Sequence, residues 1–255
     1  MKTVVGGIPV DVLTAQEWVD LLLSDWRAKS SGSLPKVVTT TNGQVVSVFA
    51  RNSSFRDAVL DADHVAADGM SVVVASRHFG ATPLPERVST TDWFHDAARA
   101  ASIHGLRFFM MGATREANEK AVARARSLYP QLQITGARHG YFRDGEIHAV
   151  ADEVARSRAD VLWLGLGNPR QVIVAHRFKQ LVPSLTWIRT CGGLFDFLSG
   201  NAKRAPVGLQ QAGFEWAYRV AQEPRRLAWR YATTNVHAAF LLVTRSRGAG
   251  VALRP

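Results

Sequence analysis

The segment Val161-Leu-Trp-Leu-Gly-Leu-Gly-Asn-Pro-Arg-Gln171 joins a short apolar run to a glycine-rich turn and the start of an amphipathic stretch. A buried strand, a tight turn and a helix in that order form the repeating unit of a parallel sheet, because parallel strands are connected by helical crossovers. The same order recurs along the first 200 residues. It predicts six strands, at Lys36–Thr40, His64–Ala67, Arg107–Met111, Gln133–Ala137, Val161–Gly165 and Thr186–Thr190.

Helical patterns separate these strands. Thr14-Ala-Gln-Glu17 is typical of a capping box and predicts a helix that runs to about Arg27. Further helices are predicted near Gln44–Arg51, Phe55–Asp61, Ser71–Phe79, Thr91–His104, Arg115–Leu128, Glu146–Arg158 and Gln171–Leu181. This alternation predicts an α/β fold, a Rossmann-like parallel sheet with helices on both faces. We expect the α/β domain to span residues 1–200 and a C-terminal helical appendage to span residues 201–255.

The composition narrows the class of protein. The 255 residues are 47% apolar and 20% charged, a balance that excludes a wholly disordered chain. The single cysteine, Cys191, excludes an intrachain disulfide and a cysteine-based zinc site. The eight histidines lack the spacing of a metal motif, so no metal ion is expected. The N-terminus has no signal-peptide core and no apolar run could span a bilayer, which favours a cytoplasmic location.

Glycines follow several of the predicted strands. In an open parallel sheet, ligands bind outside the carboxyl ends of the strands, where glycine lets the backbone approach a phosphate and the next helix offers free amides. The glycines at these ends therefore predict a phosphorylated ligand, although each alone could serve only a tight turn. They include Gly112, Gly140, Gly165 and Gly167. Because Arg170 takes the place of the third glycine of the dinucleotide fingerprint, a nicotinamide or flavin enzyme is a minor alternative.

Two predicted strand ends carry groups that could perform chemistry. Asp68 follows the strand His64–Ala67, and its carboxylate could serve as a general base at the ligand crevice. It could equally well cap the helix that begins near Met70. Thr40 and Asn42 end the first predicted strand, and they could either serve the same crevice or cap a helix. Asp61-Ala-Asp63 matches a metal-binding DxD, but it precedes a strand, so we interpret it as a solvated helix terminus.

The C-terminal region is basic. Residues 201–255 hold nine of the 31 Lys and Arg residues and two of the 21 Asp and Glu residues, so they contribute +7 of the net charge of +10. Aromatic residues interleave with the arginines, as in Glu223-Pro-Arg-Arg-Leu-Ala-Trp-Arg-Tyr231. This mixture suits an anionic membrane surface. A packing helix with a solvated basic face is the main alternative, and nucleic acid is not expected as a partner because no nucleic-acid module accompanies the charge.

Together these segments resemble the bacterial WecG/TagA/CpsF glycosyltransferases, glycosyltransferase family 26. The resemblance covers nearly the whole chain and is carried by the order and spacing of its motifs. They are Thr40-Thr-Asn42, Asp63-His-Val-Ala-Ala-Asp-Gly69, Leu84-Pro-Glu-Arg-Val88, Thr91-Asp92, Gly165-Leu-Gly-Asn-Pro-Arg-Gln171, Gly192-Gly-Leu-Phe-Asp-Phe197, Lys203-Arg-Ala-Pro206, Glu215-Trp216, Arg219 and Glu223-Pro-Arg-Arg226.

The resemblance implies an inverting, metal-independent and cofactor-free transfer of a sugar from a UDP-sugar to a polyprenyl-diphosphate-linked saccharide. Asp68 matches the family's general base, and Thr40, Asn42, Arg87 and Gln171 match residues that line the pocket. Gly140, Tyr141 and Asp196 match positions around the nucleotide. The C-terminal segment resembles a membrane-targeting appendage whose arginines help to complete the site. The candidates there are Arg219, Arg225, Arg226 and Arg230.

We therefore expect a cytoplasmic enzyme, peripheral on the inner face of the cell membrane, in exopolysaccharide or cell-envelope glycan biosynthesis. A homo-oligomer is compatible with this expectation. Two alternatives stay open: a nucleotide-dependent Rossmann-type oxidoreductase, and a non-enzymatic basic adaptor for membranes or nucleic acid. The donor sugar is left open among glucose, N-acetylmannosamine and its uronic acid.

Overall fold

The computed structural model describes residues 1–211, 213–222 and 224–246, without the side chains of residues 207, 211, 219 and 224–232. The strands of this described part begin with two that were not predicted and continue with the six that were. In chain order they are β1 (Lys2–Val5), β2 (Ile8–Asp11), β3 (Lys36–Thr41), β4 (His64–Ala67), β5 (Arg107–Gly112), β6 (Gln133–Arg138), β7 (Val161–Gly165) and β8 (Trp187–Thr190).

The six predicted strands form one parallel sheet in the order β4-β3-β8-β7-β5-β6. β7 and β8 lie inside the sheet and are buried along their whole length, as expected for parallel strands covered on both faces. β1 and β2 form a separate antiparallel hairpin. Gly6 and Gly7, both with positive φ, make its two-residue turn. The predicted α/β fold with a Rossmann-like parallel sheet is confirmed.

Helices cover both faces of the sheet. The described part contains α1 (Ala15–Arg27), α2 (Gly43–Arg51), α3 (Ser53–Leu60), α4 (Met70–Phe79), α5 (Thr90–His104), α6 (Arg115–Leu128), α7 (Ile147–Arg156), α8 (Arg170–Leu181), α9 (Leu194–Leu198), α10 (Val207–Gln211), α11 (Glu215–Gln222) and α12 (Pro224–Thr244). One core cluster packs α2, α3, α4, α7, α8 and the hairpin against the sheet. A second, on the opposite face, is formed by α1, α5, α6 and α9.

Side-chain caps fix where several helices begin. Thr14 and Glu17 form the predicted capping box of α1, which satisfies two amides of its first turn. Asn42 caps α2 by accepting from the amide of Val45, at 3.1 Å. Asn52 ends α2 and caps α3 in the same way. Of these caps, Asn42 lies directly after β3, so it sets the point at which the chain leaves the carboxyl edge of the sheet.

The last helix packs against the α/β domain. α12 lies against α2 and α4, and its Ala238, Leu241 and Leu242 are buried. Just beyond it, the hydroxyl of Ser246 accepts a hydrogen bond from the amide of Gly6, at 2.9 Å. Within the residues described, no helix is both long enough and apolar enough to cross a membrane.

Candidate functional site

A cavity of about 840 Å³ opens at the carboxyl edge of the sheet. It lies where α2, which follows β3, and α9, which follows β8, leave for opposite faces of the sheet. Such a divergence between neighbouring parallel strands creates a crevice at their carboxyl ends. The volume is of the size that ligand and cofactor sites have. The fold therefore provides the crevice that the glycine-ended strands predicted.

Asp68 lines this cavity, and both of its carboxylate oxygens are held. Oδ1 accepts from the backbone amide of Thr90, at 2.8 Å, and Oδ2 accepts from the side-chain amide of Asn42, at 3.2 Å. Asp68 does not cap α4, because Gly69 is the cap residue there and no side chain fills that role. Its carboxylate instead lies at the first turn of α5, where the helix dipole favours a negative charge.

Asn42 and Thr40 reach the same cavity from β3. The side chain of Asn42 does two things at once: its oxygen caps α2 and its nitrogen donates to Asp68. The predicted helix cap is thus confirmed, and the predicted role of Asn42 toward a ligand stays a prediction. Thr40 is 8% exposed and lies one residue from the end of β3.

Gln171 is buried and connects two of the glycine-rich loops. Its side-chain nitrogen donates to Asn168, at 3.0 Å, and its side-chain oxygen accepts from the amide of Gly192, at 3.1 Å. The loops after β7 and β8 are therefore held together by one amide side chain. Gly165 and Gly167 of the first loop line the cavity.

Arg87 lines the cavity as part of an ionic network. Its guanidinium lies 2.8 Å from the carboxylate of Glu215 and 2.9 Å from the side-chain oxygen of Gln210. Arg204 pairs with Asp92 at 2.7 Å and with Glu215 at 3.4 Å. Two arginines and two carboxylates thus neutralise each other where α10 and α11 meet the α/β domain. The sequence motifs contained all four charged residues but did not reveal that they pair.

Arg189 lies behind the cavity, outside its lining residues, and the sequence interpretation did not identify it. It lies on β8, is 1% exposed, and donates to the backbone oxygen of Thr39 at 3.0 Å. Burial lowers the pKa of Arg189 to about 10, while the negative charge of Asp68 acts in the opposite direction. The one available signal was an arginine inside the otherwise apolar or uncharged strand Trp187-Ile-Arg-Thr190.

The other residues predicted to contact the nucleotide divide into two groups. Tyr141 and Asp196 line the cavity, and the side chain of Tyr141 is largely exposed. Gly112 and Gly140 are not among the lining residues and lie behind the wall. A methyl group on Gly112 would approach the Phe195 ring to 2.5 Å, so its missing side chain serves close packing. Their roles toward a nucleotide remain predictions.

The four predicted tail arginines lie on two C-terminal helices, and the structure describes only part of the side chains of these helices. Arg219 belongs to α11, and Arg225, Arg226 and Arg230 belong to α12. The side chains of these four residues are outside the described part of the chain. Their predicted approach to the site remains a prediction.

The carboxylates of the DxD sequence lie far from the cavity. Asp61 and Asp63 precede β4, at the amino edge of the sheet, and pair with His176 and Lys179 at 3.2 and 2.8 Å. They are not among the residues that line the cavity. Across residues 1–211, 213–222 and 224–246, no three His, Cys, Asp or Glu side chains cluster in an arrangement that could hold a metal ion.

Comparison with known proteins identifies relatives. The model of the Glycosyl transferase WecG/TagA/CpsF family matches residues 3–250. The chain is similar to the N-acetylglucosaminyldiphosphoundecaprenol N-acetyl-beta-D-mannosaminyltransferase of Bacillus spizizenii, with 31% identity over 193 residues, 76% of this chain and 73% of the relative. It is also similar to the protein with the same description from Bacillus subtilis, with 30% identity over 195 residues and the same coverage of 76% and 73%.

Proposed function

Because the chain belongs to the WecG/TagA/CpsF glycosyltransferase family, we propose that it transfers a hexose from a UDP-sugar to a polyprenyl-diphosphate-linked saccharide, with Asp68 as the general base. The observation that carries this proposal is a carboxylate at the carboxyl edge of the sheet, inside a cavity of about 840 Å³, with both oxygens oriented by neighbours. The relatives' descriptions name an N-acetylmannosaminyl group and an N-acetylglucosaminyl diphosphoundecaprenol acceptor. We propose the same classes of donor group and acceptor for this chain.

The proposed reaction is a single displacement. The Asp68 carboxylate takes the proton of an acceptor hydroxyl while that oxygen bonds to the anomeric carbon of the donor sugar. The bond from the anomeric carbon to the diphosphate breaks at the same time, and its electron pair leaves with UDP. Attack from the face opposite the departing diphosphate inverts the anomeric configuration. The hydrogen bonds from Asn42 and Thr90 leave one orientation of the carboxylate favoured, which positions the base before the acceptor arrives.

The departing diphosphate needs positive partners. We propose that helix N-termini and arginines supply them without a metal ion or cofactor. Thr114 and Ala117 of the first turn of α6 line the cavity, and Gln171 lines it from the first turn of α8. The backbone amides of such turns favour anions. The described arginines of the lining, Arg87 and Arg204, already pair with carboxylates. We therefore propose that the tail arginines supply the remaining charge compensation.

The proposed location is the inner surface of the cell membrane, as a peripheral enzyme. The acceptor class carries a polyprenyl chain, so its diphosphate lies at the surface of a bilayer. The C-terminal region supplies +7 of net charge, and α12 exposes the apolar side chains of Val236, Phe240 and Val243 on its outer side. Basic residues beside exposed apolar ones favour binding to an anionic lipid surface.

Membership of the family favours this function over the two alternatives. An oxidoreductase is further disfavoured by the turn Gly165-Leu-Gly167, after which Arg170 takes the place of the third glycine of a dinucleotide fingerprint. A basic adaptor would have no use for a carboxylate held at both oxygens inside a cavity.

The test is sugar transfer in vitro. The purified protein is incubated with UDP-N-acetylmannosamine, UDP-glucose or UDP-N-acetylmannosaminuronic acid and with N-acetylglucosaminyl diphosphoundecaprenol in detergent, with and without EDTA. We expect a lipid-linked disaccharide from one donor, in EDTA as well. Asp68→Asn should lose transfer at least 1,000-fold, an order-of-magnitude expectation for the loss of a general base, and should still bind UDP. The matched variant Asp61→Asn, at the other edge of the sheet, should keep the wild-type rate. Wild-type turnover by Asp68→Asn, or no transfer from any donor, would refute the proposal.

A further inference from the structure

Arg189 places a positive charge inside the parallel sheet. It lies on β8, which pairs with β3 on one side and with β7 on the other, and it is 1% exposed. Its neighbours in the strand, Trp187 and Ile188, are completely buried. Moving a guanidinium from water into such surroundings costs stability unless its partners compensate. The choice of arginine at this position therefore needs a reason other than packing.

The direct contacts of Arg189 offset only part of the free-energy cost of burying its guanidinium. Its guanidinium donates to the backbone oxygen of Thr39 at 3.0 Å and to the hydroxyl of Thr90 at 3.4 Å. It also lies over the ring of Trp93, at 5.2 Å. Its Nε atom is buried and makes no hydrogen bond to any described residue. No carboxylate of the described residues forms a salt bridge with it.

The charge that acts on Arg189 from a greater distance is that of Asp68. Burial lowers the pKa of Arg189 to about 10, and the carboxylate of Asp68 counteracts this, so the guanidinium stays protonated at neutral pH. The other titratable group acting on it is Cys191, whose own pKa burial raises, so that the thiol stays neutral.

Thr90 connects the two residues through the first turn of α5. Its hydroxyl accepts from Arg189, and its backbone amide donates to Oδ1 of Asp68. The remaining contact of Asp68 is the uncharged amide of Asn42. Arg189 thus holds the residue whose backbone amide orients Asp68.

Building on the proposed role of Asp68 as the base, we propose that Arg189 is a positioning residue that holds Thr90, and through Thr90 the orientation of the Asp68 carboxylate, from inside the sheet and without touching the substrate. The arginine costs the fold stability and benefits the reaction. If Arg189 served packing alone, its replacement would instead lower the stability of the fold and leave the reaction rate unchanged.

The test compares Arg189→Met with Arg189→Lys and with the matched control Ile188→Met, which alters the same strand on its other face. We expect Arg189→Met to lower kcat about 10- to 100-fold, the usual effect of losing one interaction with a charged group. Its KM for the UDP-sugar should change less than twofold, and its melting temperature should not fall, because a buried charge has been removed. Arg189→Lys should recover part of the rate, and Ile188→Met should keep all of it.

A second readout does not depend on turnover. Proteins labelled with carboxyl-¹³C aspartate are compared by NMR at one neutral pH, with the Asp68 signal assigned by its loss in Asp68→Asn. We expect the Asp68 carboxyl signal to move in Arg189→Met and to stay in place in Ile188→Met, because only the first variant releases the hydroxyl of Thr90. An unchanged Asp68 signal or an unchanged kcat in Arg189→Met overturns the proposal, and so does failure of Arg189→Met and Arg189→Gln to fold. If the wild type transfers no sugar, the proposed function fails, while the NMR comparison still decides the role of Arg189.

Discussion

The side chain of Asn42 caps helix α2 with its oxygen and donates to the carboxylate of Asp68 with its nitrogen, at 3.1 and 3.2 Å. One amide therefore ties the start of a helix to the proposed base. Because the cap fixes the side chain, its nitrogen cannot turn away from Asp68 without releasing the amide of Val45. The orientation of the carboxylate is in this way part of the fold.

Asn42→Asp should separate the two functions of this side chain. Aspartate caps helices as well as asparagine does, so the free energy of unfolding should change by less than about 1 kcal/mol. The donor to Asp68 is lost and a second carboxylate takes its place, so kcat should fall roughly 10- to 100-fold. Urea unfolding and transfer kinetics measure the two effects. Asn42→Ala is the comparison, and it should lose both the cap and the rate. Equal rates for Asn42→Asp and the wild type would contradict this assignment.

The pair formed by Arg87 and Glu215 should contribute to stability because it is shielded from solvent, with 13% and 19% of the two side chains exposed. A double-mutant cycle with Arg87→Gln and Glu215→Gln should give a coupling energy of about 0.5–3 kcal/mol in urea unfolding. The exposed pair Lys120–Glu116 is the control, and its coupling energy should be smaller because solvent screens the two charges. If the coupling energy of Arg87 and Glu215 is no larger than that of Lys120 and Glu116, solvent screens both pairs alike.

Gly112→Ala should destabilise the fold. The added methyl group would lie 2.5 Å from the ring of Phe195 and 2.7 Å from the backbone oxygen of Gly165, so side chains or backbone must shift. Overpacking of this kind costs about 1–3 kcal/mol, measured by chemical unfolding. Gly145→Ala is the control, because a methyl group added there would have no described atom within 4 Å. If Gly112→Ala leaves the free energy of unfolding unchanged, the residues around Gly112 can shift to accept a methyl group at little cost.

The basic tail should determine binding to anionic vesicles. Arg225→Gln combined with Arg226→Gln removes two charges, each contributing about 1 kcal/mol near an anionic surface. Partitioning onto phosphatidylglycerol vesicles should fall roughly 30-fold in co-sedimentation. The control carries the same change of charge on exposed arginines elsewhere, Arg124→Gln with Arg156→Gln. If both double variants lose binding equally, net charge and not the tail governs attachment.

His237 should make the fold sensitive to acid. Its Nδ1 atom lies 2.9 Å from the hydroxyl of Ser47, between α12 and α2. Burial lowers the pKa of His237, and the charges of Arg51 and Arg245 lower it further. The unfolded chain therefore takes up this proton at a higher pH than the folded one, so stability declines as the pH falls below about 6.5. The drop in melting temperature between pH 7.5 and pH 5.5 should be smaller in His237→Gln. A drop as large as that of the wild type would assign the acid sensitivity to other groups.

The sequence predicted the sheet and part of the cavity lining for a local reason. Apolar strands, capped helices and glycine turns are each encoded within a few residues, and the carboxyl ends of parallel strands must share one edge. This is why Asp68, Thr40 and Asn42 could be assigned to a common crevice, whereas Gln171 was assigned to it by the family resemblance. The hairpin of β1 and β2 escaped prediction, because two four-residue strands carry too short a pattern to stand out.

The chain order alone determined that a carboxylate would lie at the ligand edge of a parallel sheet and that a basic tail would follow it. Tertiary structure decided which groups surround that carboxylate. Arg189 follows Asp68 by 121 positions and Thr90 by 99, and Glu215 follows Arg87 by 128. Local sequence patterns predict where helices and strands lie, but they do not predict which charged residues from distant parts of the chain come close together in the fold. Burial, which strengthens the interaction between charges by excluding water, exists only once the chain is folded.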